Sequence, residues 1–376
     1  MKSRPRTAAV FALNPLPSNR AHVGAIVGMT NAIQERGFKT TLYSFRTKGA
    51  RSSLIDTVGL HENVRLGWSC PGLSKLAKIA SVVAWMAIAA WRRHDIVMTR
   101  SPVVAFAARR TQFVFLELHQ APKTRWLSMR FDHRIIPMLR NDRYRFLFIS
   151  HQLRTLYMGQ FENLLAARCV TVPSGFRRDW YPEEWSPSLG HRIITYAGSL
   201  YEGRGIDIVI AIAKQIPDSQ FRVVGGSAAE WRRLTAEIDV PRNCTHIPHL
   251  APNLIPKLLT DSDILLAPYQ LRVLTASGDD IASEISPLKI VEYLAAGRAI
   301  VASDLPAIRE LITDSSQAIL VAPDDVFAWT ESVRALLADK AVRDRLGVEA
   351  FRRAHGRLDW DSRLSHIPAF RGQVFP

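Results

Sequence analysis

The chain has 376 residues, 47% hydrophobic and 22% charged, with a formal net charge of +15. Such length and apolar content exclude a disordered chain or one small core, and suit two globular domains of about 150–200 residues each. Three scattered cysteines, Cys70, Cys169 and Cys244, exclude a disulfide framework and a zinc pattern and point to a reducing compartment, the cytoplasm.

The charge is uneven. Residues 1–150 carry 24 Lys/Arg against 7 Asp/Glu, a balance of +17, whereas residues 201–376 carry 20 against 23, a balance of −3. An anionic partner is expected for the first half only: nucleic acid, an anionic membrane surface or an anionic acceptor.

In chain order, the apolar run Ala8–Leu13 is too short for a signal-peptide core and reads as a first strand. A helix over Val23–Arg36, closed by Gly37, and a strand over Thr40–Phe45 follow. The same βαβ rhythm recurs at Asp95–Thr99, Phe113–Leu118 and Phe146–Ser150, the pattern of a parallel sheet. Within Leu73–Trp91, the 13 residues from Ile79 on are uncharged, too few to span a bilayer. Two readings stay open: a buried crossover helix, or one dipping into the lipid interface with Trp85, Trp91, Lys75 and Lys78 as anchors.

Between Pro173 and Pro187 the chain turns polar and turn-rich, as a linker does. Further strands are expected at Arg192–Ala197, Gln220–Val224, Thr245–Ile247, Ile264–Ala267, Ala299–Ser303 and Ala318–Val321. Helices fall at Gly205–Gln215, Ala228–Glu237, Pro287–Ala296 and Val326–Leu337. The expectation is an α/β protein of two doubly wound domains, 1–175 and 188–354.

The stretch from Glu284 to Gly297 carries the most chemistry. Ser286 suits an N-cap and Pro287 the first helical position. The free amides and dipole of that helix start, around Leu288, favour an anion such as a diphosphate. Glu292 stands five residues past Pro287, about 7 Å along the axis, in reach of two ribose hydroxyls. Glu284, before the helix, is free to meet the group on the other side of the diphosphate.

This Glu-x7-Glu pair, followed by Tyr293-Leu-Ala-Ala-Gly-Arg-Ala-Ile-Val-Ala-Ser-Asp-Leu-Pro306, resembles the signature of the retaining, metal-independent "group 1" glycosyltransferases. Tyr196-Ala-Gly-Ser-Leu-Tyr-Glu-Gly-Arg-Gly-Ile-Asp207, Asp261-Ser-Asp-Ile-Leu-Leu-Ala-Pro268, Glu117-Leu-His119 and Phe148-Ile-Ser150 are similar to further parts of that family, in the same order. The resemblance implies the GT-B fold, two Rossmann-like domains facing a central cleft, with residues 355–376 returning to the N-terminal domain. It implies no cofactor and no metal, with a nucleotide diphosphate sugar as donor and a lipid-linked or glycan acceptor. The expected place is the cytoplasm, peripheral on the inner face of the membrane, in polysaccharide or glycolipid synthesis.

Residue by residue, the resemblance gives Arg204 to the phosphates and His119 to the donor sugar, with Glu284 the third catalytic residue. The family often has a second basic residue just after the first glycine of the Arg204 loop; Ser199 stands there instead, and Lys289 is a candidate substitute. Gly226 allows backbone to approach the donor, and Ile247 is expected to contact the base. Arg20-Ala21 stands in the place of the family's diglycine, and Arg20 and His22 become acceptor-side candidates. His246-Ile-Pro-His249 reads poorly as a metal site, since Pro248 interrupts it. The alternatives are a nucleotide-sugar epimerase of the same fold, or a non-enzymatic basic protein binding nucleic acid, which would explain the +17 but not the paired carboxylates. The favoured reading expects no nucleic-acid partner.

Overall fold

A computed structural model describes residues 6–16, 21–46, 50–70, 74–120, 136, 141–161, 164–274, 280, 287–367 and 370. The chain divides into two units, Met1–Pro173 with Trp360–Pro376, and Ser174–Asp359.

Among the described residues, the first unit has β1 (Thr7–Leu16), β2 (Lys39–Arg46), β3 (Arg65–Leu66), β4 (Ile96–Thr99), β5 (Phe113–Leu118), β6 (Tyr144–Phe148) and β7 (Cys169–Thr171). They form one parallel sheet in the order β3-β2-β1-β4-β5-β6-β7. The order reverses between β1 and β4, as in a doubly wound fold. Inner strands are covered on both faces, so they read as apolar runs without alternation; β4 is buried at every position. The edge strands β3 and β7, of two and three residues, are too short to announce themselves by period.

The helix Lys75–Trp91 corrects one expectation. Ser74 caps it by accepting from the Ala77 N–H, and its buried row is Ala77, Ser81, Trp85 and Ala89. Trp85 is fully buried against Phe11 and Phe45, and its Nε1 donates to the Trp68 carbonyl at 2.8 Å. It is therefore a core residue and not a lipid anchor. The opposite face leaves Leu76, Ile79, Val83 and Trp91 exposed. No helix among the described residues is long and apolar enough to cross a membrane.

The return to the first unit begins at Trp360, later than residue 355, because the helix Lys340–Arg357 runs on unbroken within the second unit. Trp360, Leu364, Ile367 and Phe370 join the core formed by β1 and the helix Ala21–Glu35. Arg36 fastens this segment, donating to the Asp361 carboxylate, the Phe370 carbonyl and the Ser365 hydroxyl. Trp360 lies so close over Gly28 that a Cβ there would sit 2.2 Å from its Nε1.

The second unit holds β8 (Ile193–Ala197), β9 (Gln220–Val224), β10 (Cys244–Ile247), β11 (Ile264–Ala267), β12 (Ala299–Ser303) and β13 (Ile319–Val321). Their order, β10-β9-β8-β11-β12-β13, is again doubly wound, with the switch between β8 and β11. Asp263 accepts the backbone N–H groups of Gly190 and Ile193 on its two oxygens and fixes the entry to β8. The helix Leu288–Ala296 starts one residue later than expected. Pro287 is its N-cap, with extended ψ of 98°, and its carbonyl accepts from Ile290 N at 2.9 Å.

Gly28→Ala is expected to destabilise the full chain by about 1–3 kcal/mol, because Trp360 must move out of a filled core. Urea denaturation measures it, and an unchanged midpoint would mean that the contact is easily relaxed.

Candidate functional site

β8 and β11 pair directly at Ile194–Ile264 and Thr195–Leu265. Just past that ladder the Tyr293 hydroxyl accepts from Ala197 N at 2.7 Å and faces the Leu266 carbonyl at 3.2 Å. This seats the helix Leu288–Ala296 at the carboxyl ends of the strands, where open α/β sheets bind ligands.

One turn earlier on the same face lies Lys289, only 8% exposed. Its Nζ stands over the rings of Tyr196 at 3.8 Å and Tyr269 at 4.6 Å, and has no hydrogen-bond partner among the described residues. The Arg204 guanidinium lies 5.2 Å from the same Tyr269 ring, and its buried Nε is likewise unpartnered. Burial, reinforced by Arg204, holds the Lys289 ammonium well below its ordinary pKa, against a weaker opposite pull from Glu292. Burial raises Glu292 to about 7, opposed by Lys289. No ion pair links these two described side chains. An ammonium without an acceptor, a guanidinium with a free Nε and a carboxylate one turn on can take up an anion and a polyol.

Glycines shape the surrounding backbone. Gly203 and Gly205, at φ 82° and 70°, flank Arg204; a Cβ at either would lie 1.9 Å from a carbonyl oxygen, of Arg272 and Pro268 respectively. The left-handed backbone and these close approaches both require glycine. A Cβ at Gly198 would lie 2.8 Å from the Lys289 Nζ. Gly226, at φ 65°, turns the chain so that its carbonyl accepts from His249 N. The Ile247 carbonyl already accepts from Gly225 N. His246 stacks on Trp231 at 4.9 Å and bonds the Gly225 carbonyl.

In the first unit, Glu117 on β5 is a buried carboxylate held by Arg363 at 2.5 Å and Arg100 at 2.8 Å, with His119 Nε2 at 3.0 Å. Burial alone would raise this carboxyl, but Arg100, His119 and Arg363 outweigh it and hold it well below its ordinary value. Burial, helped by Arg100, also lowers His119. The imidazole is thus neutral near pH 7, and the two guanidiniums carry the neutralisation of Glu117. Arg363 further donates to the Pro173 carbonyl, tying the returning segment to the end of the first unit.

Of the expected site residues, Arg204, Lys289, Pro287, Leu288 and Glu292 gather around one helix start, while Gly226 and Ile247 sit at the neighbouring turn. His119 belongs to the Glu117 cluster. His22 falls in the helix Ala21–Glu35, and Glu284, Ser286 and Arg20 lie outside the described residues. Sequence reasoning missed the tyrosines that enclose Lys289, although Tyr196 and Tyr293 stand in the quoted motifs. It also missed Arg100 and Arg363, whose contacts with Glu117 span 17 and 246 positions.

Arg363→Ala is expected to cost about 3–5 kcal/mol, by leaving a buried carboxylate short of a partner. The depressed Glu117 contributes stability that is fully present above its ordinary value of 4.5 and is lost as pH falls through the lower folded value. Stability should therefore fall less steeply on acidification in the variant than in the parent. Equal acid slopes in denaturation curves would remove Glu117 from the ledger.

Residues 191–339 match the family model described as Glycosyl transferases group 1. The phosphatidyl-myo-inositol mannosyltransferase of Mycolicibacterium smegmatis is 26% identical over 188 residues, 48% of this chain and 44% of that protein. The D-inositol 3-phosphate glycosyltransferase of Nocardia farcinica is 22% identical over 180 residues, 44% of this chain and 37% of that protein. The match thus spans less than half the length of either curated relative. Among solved structures, HepE of Anabaena in complex with UDP and glucose has a TM-score of 0.72 at 15% identity, covering 98% of this chain and 100% of that one. Sucrose-phosphate synthase of Thermosynechococcus elongatus gives 0.70 at 14%, covering 97% and 98%. The chain has the GT-B fold, and its likeness to the glycosyl transferases group 1 family is carried by residues 191–339.

Proposed function

We propose that the chain is a retaining glycosyltransferase that moves a sugar from a nucleoside diphosphate donor, without a metal ion, to a lipid-linked or glycan acceptor. The observation that carries the reading is the buried Lys289 ammonium, without a hydrogen-bond partner among the described residues, beside the half-buried Arg204 with its unpartnered Nε, at the start of the helix Leu288–Ala296. Free amides and cations together suit a diphosphate, and Glu292, ionised, suits ribose hydroxyls. The complex of HepE with UDP and glucose, and the names of the two curated relatives, support the same chemistry.

In this reading Arg204 and Lys289 stabilise the diphosphate as it departs, which is the largest part of the catalysis. The acceptor hydroxyl attacks the anomeric carbon on the face that the diphosphate leaves, and a phosphate oxygen takes its proton. His119, neutral, contacts the donor sugar, and Glu284 meets the group beyond the diphosphate. Leu288, Gly226 and Ile247 border the nucleotide, and Arg20 and His22 the acceptor.

The acceptor is read as one presented at an anionic membrane surface. Leu76, Ile79, Val83 and Trp91 are 80%, 52%, 60% and 75% exposed along one helix, beside Trp68 at 54%. Lys75, Arg92 and Arg93 are exposed at its ends, and Arg110 lies over the Trp91 ring. An apolar stripe bounded by cations fits an interfacial helix.

At pH 8, where Glu292 is ionised, one member of a panel of nucleotide sugars is expected to stabilise the protein thermally, with or without EDTA. Glu292→Ala should weaken that binding by about 1.5–3 kcal/mol. Unchanged affinity would take Glu292 out of the site. Turnover lost in EDTA and restored by magnesium or manganese would overturn the metal-free mechanism.

The protein is also expected to pellet with anionic vesicles at low salt and to be partly released at high salt. Trp91→Glu, on the exposed face, should weaken pelleting without unfolding the protein, whereas Trp85→Glu would strike the core. Equal partitioning to neutral and anionic vesicles, or none to either, leaves a soluble acceptor.

A further inference from the structure

We propose that Lys289 is the second phosphate-binding cation of this site, supplied by the helix where the loop has only Ser199, and that it takes up a proton as the donor's diphosphate binds. This rests on the nucleotide-sugar reading above and adds to it a linkage between donor binding and solvent protons.

The geometry makes the case. Arg204 is the one cationic side chain of the loop Gly198–Gly205. The Lys289 Nζ comes to rest over the first glycine of that loop, so close that a Cβ on Gly198 would meet it at 2.8 Å. It thus lies against the residue that immediately precedes Ser199. The lysine is more than nine-tenths buried and its Nζ has no acceptor among the described residues. A buried ammonium without an acceptor is costly, and a second cation nearby adds to the cost.

The groups facing Lys289 can be named element by element. Tyr196 comes from β8, Tyr269 follows β11, Arg204 comes from the glycine loop, and Glu292 and Tyr293 share its helix. Burial raises all three tyrosines, so they stay neutral and offer rings, not charge. Among the described residues Glu292 is the one facing anion, and it forms no pair with Lys289. Without ligand the lysine is therefore held towards the neutral amine, in keeping with its lowered pKa. A diphosphate supplies both the missing acceptor and the compensating charge. The amine then gains one proton from solvent, forming one N–H bond, and no other bond changes.

The donor itself has no proton to exchange near neutrality, since a nucleoside diphosphate sugar is a diphosphodiester. Any uptake must come from the buffer. The test is calorimetric titration of the full chain with ADP-, GDP-, TDP- and UDP-glucose at pH 8.5, where Glu292 is ionised, in buffers of differing ionisation enthalpy. For the nucleotide sugar that binds, the heat should vary with the buffer and report net proton uptake, of at most about one proton. Affinity should fall by up to about tenfold per pH unit above that pH. Lys289→Met should abolish the uptake and weaken binding about ten- to a hundredfold. Lys289→Arg, a permanent cation, should bind without uptake. Binding by the parent protein with no buffer dependence, or equal uptake by Lys289→Met, overturns the proposal and leaves the nucleotide-sugar site standing. Binding of none of the four by the folded protein sinks the site reading, and the proton linkage with it.

Discussion

The second unit turns on one buried hydroxyl. The ladder between β8 and β11 stops at Thr195–Leu265, and the next backbone groups across the gap need another partner. Tyr293 meets that need from the helix side, taking the Ala197 N–H and facing the Leu266 carbonyl. A buried backbone donor left unpaired costs about 1–3 kcal/mol, so the helix is held in both rotation and depth. Because Lys289 lies four residues earlier on that face, the same bond fixes where the ammonium points. The site's geometry is thus a by-product of satisfying the sheet.

The two units treat buried charge in opposite ways. In the first, Glu117 has two guanidiniums on its oxygens, and Arg363 gives its remaining donors to the Pro173 and Val172 carbonyls and the Met29 sulfur. That cluster is closed, and its evident work is to join β5 to the returning C-terminal segment. In the second, Lys289 and the Arg204 Nε have no acceptors among the described residues, only aromatic faces. A cation over a ring is worth about 0.5–2 kcal/mol, which does not replace a charge-assisted hydrogen bond. Satisfaction in one place and its lack in the other separates scaffold from candidate site.

Much of this was legible in the sequence. Apolar runs located the inner strands, and the turn residues around them set the βαβ rhythm. The local chemistry of Glu284 to Gly297 announced the helix Leu288–Ala296, although Pro287 turned out to close the first turn with its carbonyl rather than begin the helix. Trp85 and Trp91 look alike in a uniformly apolar stretch. Only the position of the sheet decides which of them points inward. Arg363 had no local signal at all, because its partner Glu117 is 246 positions away. The tyrosines around Lys289 were hidden for a related reason: each belongs to a different element, and they meet only at the switch point.

The position of Trp360 bears on how the chain is made. The first unit is discontinuous in sequence: Trp360, Leu364, Ile367 and Phe370 fill its core but follow the whole of the second unit. Domains ordinarily fold in the order they leave the ribosome. Here the later unit is complete in its own residues first, while the earlier one waits with the groove over Gly28 uncovered. A nascent chain therefore carries an open N-terminal core through the synthesis of some 186 residues, from Ser174 to Asp359, and is sealed only once the segment from Trp360 to Phe370 has followed.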